Sequence, residues 1–368
     1  IIPIEKGYCY PMIQAKRPVR DVTRPAPQPE FRSAIERLDA NERTTLFSDE
    51  EFSRLLATLT PYDIVAYGEL EPFYRKIVSW LDIPRDRVLL TAGSDTGIRA
   101  IFETFVEQGD EVIILVPTYA MFSVYSRMFG AVERNWTYGP GLTLDIDKMI
   151  ADIRPETRLV VIANPNHTGS VISEEDLLKI AAAARECEAL LLVDEAYHHF
   201  YPQSFVQHID EFDNLIISRT FSKAFGLAAL RIGFLSANPN LIEELYRVKL
   251  VHEISGMAAK IGQFMLDNLH IMESYVEDVN AGKEHLYAEL PNLGCEVLRS
   301  EANFVFFKLP ALVDGGPLVA ELESDGIYIK GPFDNDPFEG HLRVTVGPEK
   351  QMHEFVEVLA SKMVNDSA

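Results

Sequence analysis

The sequence predicts an α/β fold: a large three-layer α/β/α domain around a mainly parallel sheet, with a smaller α+β domain beside it. Short apolar runs recur through residues 88–235, and helical patterns separate them. Runs rich in leucine and β-branched residues, without alternation, are typical of strands buried on both faces. Strands that alternate with helices favour a parallel sheet with right-handed crossovers. From about residue 238 the pattern changes to a long helix followed by two more strands.

Each element follows from its own stretch of sequence. In the first part of the chain we expect strands near residues 88–90, 112–116, 159–162, 189–193, 215–217 and 232–235, and helices at 96–106 and 174–187. The second part predicts a helix over 271–290, strands at 304–309 and 342–346, and a terminal helix. We therefore assign residues 46–255 to the large domain, and residues 1–45 and 256–368 to the small domain and an N-terminal arm. Residues 25–29 are rich in proline and predict an extended connector.

Composition narrows the classes of function. The 368 residues include 34 basic and 56 acidic side chains, for a net charge of −22. This balance argues against binding to nucleic acid or to an anionic membrane surface, and no apolar run is long enough to span a membrane. The three cysteines are far apart and match no metal spacing, so we expect a reducing, cytoplasmic compartment and no metal.

The most informative stretch, residues 218–226, follows an apolar strand and holds one lysine among hydroxyls. Burial at a strand end disfavours the charged form of Lys223 and lowers its pKa, and the neutral amine can form a Schiff base with a carbonyl. Thr220, Ser222 and Arg231 are candidate anion ligands. An amine beside an anion pocket indicates an aldehyde cofactor that carries a phosphate. Alone, such a lysine is more often an ordinary surface residue.

Two further groups could bind the same cofactor from strand ends. Ser94 and Asp95 open a helix, whose free backbone N–H groups bind phosphate well, although an ordinary helix cap explains them equally. Tyr119 follows a strand that ends at Pro117, and it could stack on a flat ligand or lie half-buried in the core.

The remaining candidates also follow strands. Asn166 lies in a turn over residues 164–169 and could serve only the turn. Asp194 ends a strongly apolar strand, where a carboxylate needs a cation, such as a protonated ring nitrogen, unless it caps a helix. Tyr197 could reach the opposite edge of such a ring. Ligands of parallel sheets bind beyond the carboxyl ends of the strands, so these side chains are expected to converge.

Taken together, the order and chemistry of these groups resemble the fold type I pyridoxal-phosphate enzymes, within them the class I and II aminotransferases, and most of all the histidinol-phosphate aminotransferases. The resemblance spans roughly residues 38–347. The matching stretches are 38–42, 67–68, 93–95, 117–119, 166–169, 194–197, 218–231, 302–304 and 342–347.

The resemblance implies a cofactor, a reaction and a role for each residue. Lys223 would form the Schiff base with pyridoxal 5′-phosphate, and Asp194 would hold the pyridine nitrogen. An amino donor and a 2-oxo acid would then exchange an amino group by a ping-pong mechanism. Tyr67 would reach the phosphate of a neighbouring subunit, which implies a homodimer with shared active sites. The resemblance also implies ring contacts by Tyr119, Asn166 and Tyr197, and phosphate contacts by Ser94, Asp95, Thr220, Ser222 and Arg231. Arg343, together with Asn166, would bind the substrate carboxylate or another anionic group of the substrate.

Several positions depart from the family pattern. A proline is replaced by His167, a glycine by Ala229, and an Asn-Pro pair by Arg43 and Thr44. Residues 250–255 lack the Pro-Tyr-Asn pattern of histidinol-phosphate enzymes, and the His-Glu pair in that segment is either a contact to a polar substrate or a solvated helix face. These departures leave the donor, the acceptor and the pathway open.

Two alternative functions fit the same scaffold. One is a decarboxylase of the threonine-phosphate type, which would release carbon dioxide. The other is a non-catalytic, cofactor-binding regulator. Such regulators carry a DNA-binding module, and the chain has no basic segment of that kind.

Overall fold

The computed structural model describes residues 14–20, 22–23 and 32–365. Cys9 and the predicted connector at residues 25–29 lie outside them. Within the described residues the strands are β1 (Glu36–Arg37), β2 (Val88–Thr91), β3 (Glu111–Val116), β4 (Val132–Thr137), β5 (Thr157–Ala163), β6 (Leu190–Asp194), β7 (Leu215–Thr220), β8 (Gly233–Ala237), β9 (Glu296–Leu298), β10 (Phe304–Lys308), β11 (Ile327–Tyr328) and β12 (His341–Thr345).

Helices cover both faces of the sheet and build most of the C-terminal part. They are α1 (Arg17–Arg20), α2 (Asp49–Leu56), α3 (Tyr62–Val65), α4 (Glu71–Leu81), α5 (Gly93–Phe105), α6 (Met121–Phe129), α7 (Ile146–Asp152), α8 (Glu174–Glu186), α9 (Pro239–Val248), α10 (Gly256–Asp267), α11 (His270–Asn292), α12 (Gly315–Ser324) and α13 (Glu349–Asn365). No helix in the described ranges has the length and apolar character that a membrane crossing requires.

The predicted parallel sheet is confirmed. Seven strands lie in the order β2-β8-β7-β6-β5-β3-β4, and β8 alone runs opposite to the other six. Successive residues of a central strand enter opposite cores: Val160 and Ile162 pack into one apolar cluster, and Leu159 and Val161 into the other. This two-sided burial explains why the strands show continuous apolar runs, and it gives the three-layer α/β/α arrangement.

Two smaller sheets lie in the C-terminal part. β10 pairs antiparallel with both β9 and β12, and α11 packs along α13. β1 pairs parallel with β11, with Glu36 opposite Ile327, so the segment before residue 38 joins the C-terminal part. The α+β character predicted for this part is therefore observed, while the division at residues 46 and 255 stays a prediction.

Some elements differ from the sequence prediction. β4 has no counterpart among the predicted strands because it is an edge strand, with mostly exposed polar residues around the buried Trp136. β7 continues three residues beyond the predicted end. Ser218 and Arg219 are both buried there, and Arg219 forms an ion pair with Glu195 at 2.9 Å. The ion pair with Glu195 therefore allows the strand to continue through a charged residue, where the apolar pattern predicted its end.

Candidate active site

The site lies at one edge of the seven-stranded sheet. Asp194 is the last residue of β6, and it pairs in register with Ser218 of the parallel strand β7, after which the chain reaches Lys223. β8 runs antiparallel, so its amino end lies at this same edge and places Arg231 there. One pocket collects side chains from several strand ends, and its lining residues are Ser94, Asp95, Tyr119, His167, Asp194, Ala196, Tyr197, Thr220, Ser222, Lys223 and Arg231.

Lys223 has the properties of a reactive amine. Its Nζ donates a hydrogen bond to the backbone oxygen of Ala40 at 3.1 Å. Desolvation, with a smaller contribution from the positive charge of Arg343, lowers the pKa of Lys223 to about 8. An ordinary lysine titrates near ~10.4, so a far larger fraction of this side chain is a neutral nucleophile at neutral pH.

The pKa of Lys223 gives a pH dependence that can be measured. The rate at which the apoprotein incorporates an aldehyde cofactor should rise with pH and level off above about 8, because only the neutral amine attacks. Stopped-flow absorbance at several pH values measures this rate. A flat profile between pH 6 and 9 would contradict the lowered pKa of Lys223.

Asp194 is a buried acid that forms no ion pair with any described residue. It is 3% exposed, and its Oδ1 has no hydrogen-bond partner among those residues. Desolvation raises the pKa of Asp194 to about 7, against a lowering by the Ser218 hydroxyl and by Lys223. A buried carboxylate is stabilised by a cation within contact distance. The unpartnered Oδ1 therefore fits a protonated ring nitrogen.

The opposite part of the pocket suits a phosphate. α5 begins at Gly93, which has a φ of 78°, and Ser94 and Asp95 of its first turn line the pocket. The free N–H groups at the start of this helix therefore lie beside the pocket. Arg231 donates to the Ser222 hydroxyl at 3.3 Å, and Thr220 donates to the same hydroxyl at 3.0 Å. A guanidinium, two hydroxyls and a helix N-terminus form a set of donors for an anion.

Gly93 tests this phosphate site. A Cβ at this position would lie 2.6 Å from Nη2 of Arg231, and the positive φ would strain any other residue. Gly93→Ala should therefore displace Arg231 and weaken cofactor affinity by roughly 10- to 100-fold, the loss of one to two charge-assisted hydrogen bonds. Fluorescence titration of the apoprotein measures this change. As a control, Gly109→Ala has a positive φ but no atom within 4 Å of its Cβ, and it should leave the affinity unchanged.

Tyr119 and Tyr197 enclose the pocket from two sides. The hydroxyl of Tyr119 donates to Asp95 at 3.3 Å, and desolvation raises the pKa of Tyr119. The hydroxyl of Tyr197 accepts a hydrogen bond from Nδ2 of Asn41 at 3.0 Å. Burial raises the pKa of Tyr197 to about 12, so its phenol stays protonated as a donor at neutral pH.

Three predicted site residues do not line the pocket. Asn166 is buried, and its Nδ2 donates to the hydroxyl of Tyr138 at 2.7 Å. Arg343, on β12, donates to the backbone oxygen of Asp39 at 2.9 Å and leaves Nε without a partner. Tyr67 is 73% exposed and stacks on His252, with ring centroids 3.6 Å apart.

Residues 252 and 253 do not form the solvated helix face considered above. They lie in a turn between α9 and α10, and the Glu253 side chain is buried. Glu253 accepts a hydrogen bond from the backbone N–H of Ala92 at 2.8 Å and lies 3.7 Å from Lys249. Because Ala92 directly precedes α5, Glu253 fixes the start of the helix that opens onto the pocket.

Two lining residues had no predicted role. Ala196 follows Asp194 closely in sequence, and a small residue there leaves room for a ligand. His167 was visible only as a departure from the family pattern, and pocket chemistry could not be inferred for a histidine in a turn. Among the described residues, no group of three or more potential ligands could hold a metal ion.

Comparison with known proteins identifies the family of this chain. Residues 67–359 match the family described as Aminotransferase class I and II. The chain belongs to this aminotransferase family. The aminotransferase is 34% identical over 314 residues to histidinol-phosphate aminotransferase 1 of Archaeoglobus fulgidus, covering 84% of this chain and 92% of the other. It is 32% identical over 315 residues to the histidinol-phosphate aminotransferase of Thermoanaerobacter pseudethanolicus, covering 84% and 88%.

A solved structure shares the fold of this aminotransferase. The histidinol-phosphate aminotransferase of Sinorhizobium meliloti, in complex with pyridoxal 5′-phosphate, superposes with a TM-score of 0.81 at 22% identity, covering 89% of this chain and 90% of the other. The predicted fold class is thus confirmed. The family also confirms the predicted cofactor and enzyme class: the protein is a pyridoxal-phosphate-dependent aminotransferase acting on amino and keto acids. Neither alternative, decarboxylase or silent regulator, is favoured.

Proposed function

We propose that the residues of this pocket carry out transamination with Lys223 and Asp194 as the central pair. The observation that carries the proposal is their placement: a lysine of lowered pKa and an unpartnered buried acid line one pocket, from neighbouring parallel strands. Bound pyridoxal phosphate supplies an electron sink for the carbanion formed at Cα of the substrate. Asp194, when ionised, holds the proton on the ring nitrogen and so keeps that sink effective.

The other residues bind and orient. The amine of Lys223, once free, removes the Cα proton of the amino donor as a general base. Among the described residues the Nε of Arg343 has no hydrogen-bond partner, and Arg343 lies close enough to Lys223 to lower its pKa. Arg343 can therefore bind an anionic group of the substrate, the carboxylate of a 2-oxo acid or the phosphate of an amino phosphate, beside the reacting atom. Tyr197 would hold the oxygen side of the ring and Tyr119 would cover one face. Asn166, whose Nδ2 donates to Tyr138, would have to exchange that hydrogen bond for one to the ring oxygen.

We further propose histidinol phosphate as the amino donor and 2-oxoglutarate as the acceptor. The relatives that are 32% and 34% identical bear the name histidinol-phosphate aminotransferase. Residues 250–255 lack the Pro-Tyr-Asn pattern of the histidinol-phosphate enzymes, so other amino donors are tested alongside histidinol phosphate. In that segment, Glu253 binds the start of α5, while the exposed His252 stacks on Tyr67, on the surface where a second subunit would pack.

A half-reaction screen tests the donor. The yellow holoenzyme is mixed with one amino compound at a time: histidinol phosphate, histidine, aspartate and threonine phosphate. A productive donor bleaches the visible absorbance and yields one keto product per site without carbon dioxide. Bleaching by another amine but not by histidinol phosphate rejects the proposed donor and keeps the transamination mechanism. Release of carbon dioxide rejects transamination itself.

The proposed assembly is a homodimer with shared active sites. Large apolar side chains are exposed in two segments, Tyr62, Ile64, Val65 and Tyr67 in one and Tyr246, Leu250 and Val251 in the other. The stack of Tyr67 on His252 joins the segments into one surface. An apolar surface of this kind is typical of a subunit interface. Because Tyr67 lies outside the pocket of its own chain, a second copy is the partner it would serve.

Mixed dimers test this sharing. Lys223→Ala and Tyr67→Ala subunits are each expected to be impaired at limiting cofactor. If Tyr67 serves the neighbouring site, a heterodimer of the two variants contains one fully native site, and mixing restores activity. If Tyr67 serves its own chain, both sites of the heterodimer stay defective and mixing restores nothing. Sedimentation velocity reports the assembly independently.

We also propose a cytoplasmic location. Cys187 and Cys295 are both unpaired, as is usual where thiols stay reduced. Fractionation of cells that express the protein, with an antibody to the chain, tests this placement.

A further inference from the structure

His167 is the pocket residue to which neither the sequence nor the family assigns a task. It lies in the turn between β5 and α8. Its ring stacks on Tyr119 with centroids 5.6 Å apart and an interplanar angle of 16°, and it meets the edge of Tyr197 at 5.6 Å. Phe304 of β10 stacks against it at 6.5 Å. Packing on three sides therefore fixes the orientation of the imidazole.

The hydrogen bonds of the Tyr197 hydroxyl bear on whether the imidazole of His167 donates or accepts. An amide nitrogen can only donate, so Nδ2 of Asn41 donates to the Tyr197 hydroxyl at 3.0 Å. The hydroxyl carries one proton of its own. The acceptor that the structure places within reach of that proton is Nε2 of His167, at 3.4 Å. With Nε2 as the acceptor of this proton, the imidazole proton lies on Nδ1, which has no hydrogen-bond partner among the described residues.

The surroundings keep His167 neutral and thus able to accept. Burial lowers the pKa of His167 well below its ordinary value, and the positive charges of Arg343, from β12, and Lys223, from the loop after β7, lower it further. The other titratable groups packed against the ring are Tyr119 and Tyr197, and burial raises the pKa of both phenols. At neutral pH the ring is therefore an uncharged base beside two protonated phenols.

We propose that His167 is a positioning residue that competes with the bound cofactor for the proton of the Tyr197 hydroxyl. This inference rests on the proposed function, in which Tyr197 donates to the oxygen on the cofactor ring. A proline at this position, as in the family pattern, has no side-chain acceptor and leaves that proton free. In this chain the imidazole draws the proton away, so Tyr197 donates more weakly to the cofactor.

Replacement of the ring tests the competition. His167→Phe keeps an aromatic stack but removes the acceptor. The Tyr197 hydroxyl would then donate its hydrogen bond to the cofactor oxygen and stabilise the negative charge on that oxygen. The pH midpoint of the visible absorbance of the holoenzyme should then fall by about 0.5 to 1 unit, the size of one modest hydrogen bond. His167→Gln supplies an amide oxygen as acceptor and should give a midpoint between the two. An unchanged midpoint in both variants, with cofactor bound, overturns the proposal.

Tyr197→Phe separates an effect through Tyr197 from a structural one. In that background the midpoint should be raised, and adding His167→Phe should not change it further. An equal downward shift with and without Tyr197 shows that His167 acts by another route, which also overturns the proposal. If the wild-type protein bleaches with amino donors but the midpoint does not respond to substitution of His167, only the proposed role of His167 is rejected. Failure to bind the cofactor at all rejects the proposed function instead.

The apoprotein gives a second readout. In ¹⁵N spectra of imidazole-labelled protein, subtraction of the His167→Gln spectrum isolates the His167 signals. They should report a neutral ring protonated on Nδ1 and unchanged between pH 6 and 8. A ring protonated on Nε2, or one that titrates in this range, contradicts the assigned hydrogen bond.

Discussion

Lys223→Ala should abolish transamination, with a loss in kcat of at least about 10³-fold. The variant loses both the nucleophile for the cofactor and the base that takes the Cα proton, and general base catalysis alone contributes about 10²- to 10⁴-fold. The visible spectrum should change to that of free cofactor, while Asp194 and Arg231 still retain it in the pocket. Single-turnover kinetics and absorbance spectra of the purified variant measure both effects.

Lys283 provides a matched control for Lys223. It is also a lysine whose pKa burial lowers, but it lies on α11 outside the pocket, and its Nζ contacts the backbone oxygen of Ser300 at 3.4 Å. Lys283→Ala should keep the holoenzyme spectrum, whatever its effect on stability. A Lys223→Ala protein with an unchanged spectrum would remove Lys223 from its assigned role.

The predictable part of this site is the part that the parallel sheet dictates. A polar residue directly after an apolar strand reaches the carboxyl edge of the sheet whatever the details of packing, so Asp194 and the Lys223 loop could be brought together from the sequence. Arg231 reaches this edge of the sheet because β8 runs antiparallel to β7. A short apolar run in the sequence does not reveal the direction of its strand. The position of Arg231, eight residues after Lys223, made it a candidate anion ligand, but that spacing did not show how it reaches the pocket.

The remainder depends on contacts between segments distant in sequence. Glu253 lies 161 residues from Ala92, so its hydrogen bond to the start of α5 has no local signal in the sequence. The role inferred for His167 depends on Tyr197, which contacts it, and on Asn41, which donates to the Tyr197 hydroxyl from a segment 156 residues away in sequence. A pattern of nearby residues predicts strands and helix caps, but it does not predict which buried donor finds which acceptor.

Asp194→Asn should reduce kcat/KM by at least about 10²-fold, since a neutral amide no longer holds the proton on the ring nitrogen of the cofactor. Asparagine has nearly the same shape, so the loss reports charge rather than packing. Steady-state kinetics at saturating cofactor measure the effect. Activity that stays within a factor of two of the wild type would exclude the ion pair between Asp194 and the cofactor.

The same substitution should stabilise the apoprotein, by an amount that grows between about pH 4 and pH 7 and is constant above that. Burial raises the pKa of Asp194 to about 7 in the folded state, against about 3.9 in the unfolded chain. Between these two values the unfolded chain loses the proton that the folded protein keeps, so the wild-type apoprotein loses stability as the pH rises through that window. At pH 8 the amide should be more stable by roughly 2 to 4 kcal/mol, and at pH 4 by almost nothing. Denaturant unfolding of both apoproteins at each pH measures the difference.

Asp176→Asn is the control with the opposite sign. The hydrogen bond from Ser173 lowers the pKa of Asp176, which lies at the start of α8 outside the pocket. Its ionised form therefore stabilises the folded state above the unfolded pKa, and that contribution is lost as the pH falls through the folded value. Asp176→Asn should cost stability at pH 8, where Asp194→Asn gains it. Asp194→Asn should thus lower activity and raise the stability of the apoprotein, while Asp176→Asn should only lower stability. This contrast is expected if the carboxylate of Asp194 serves to bind a cationic cofactor and destabilises the apoprotein.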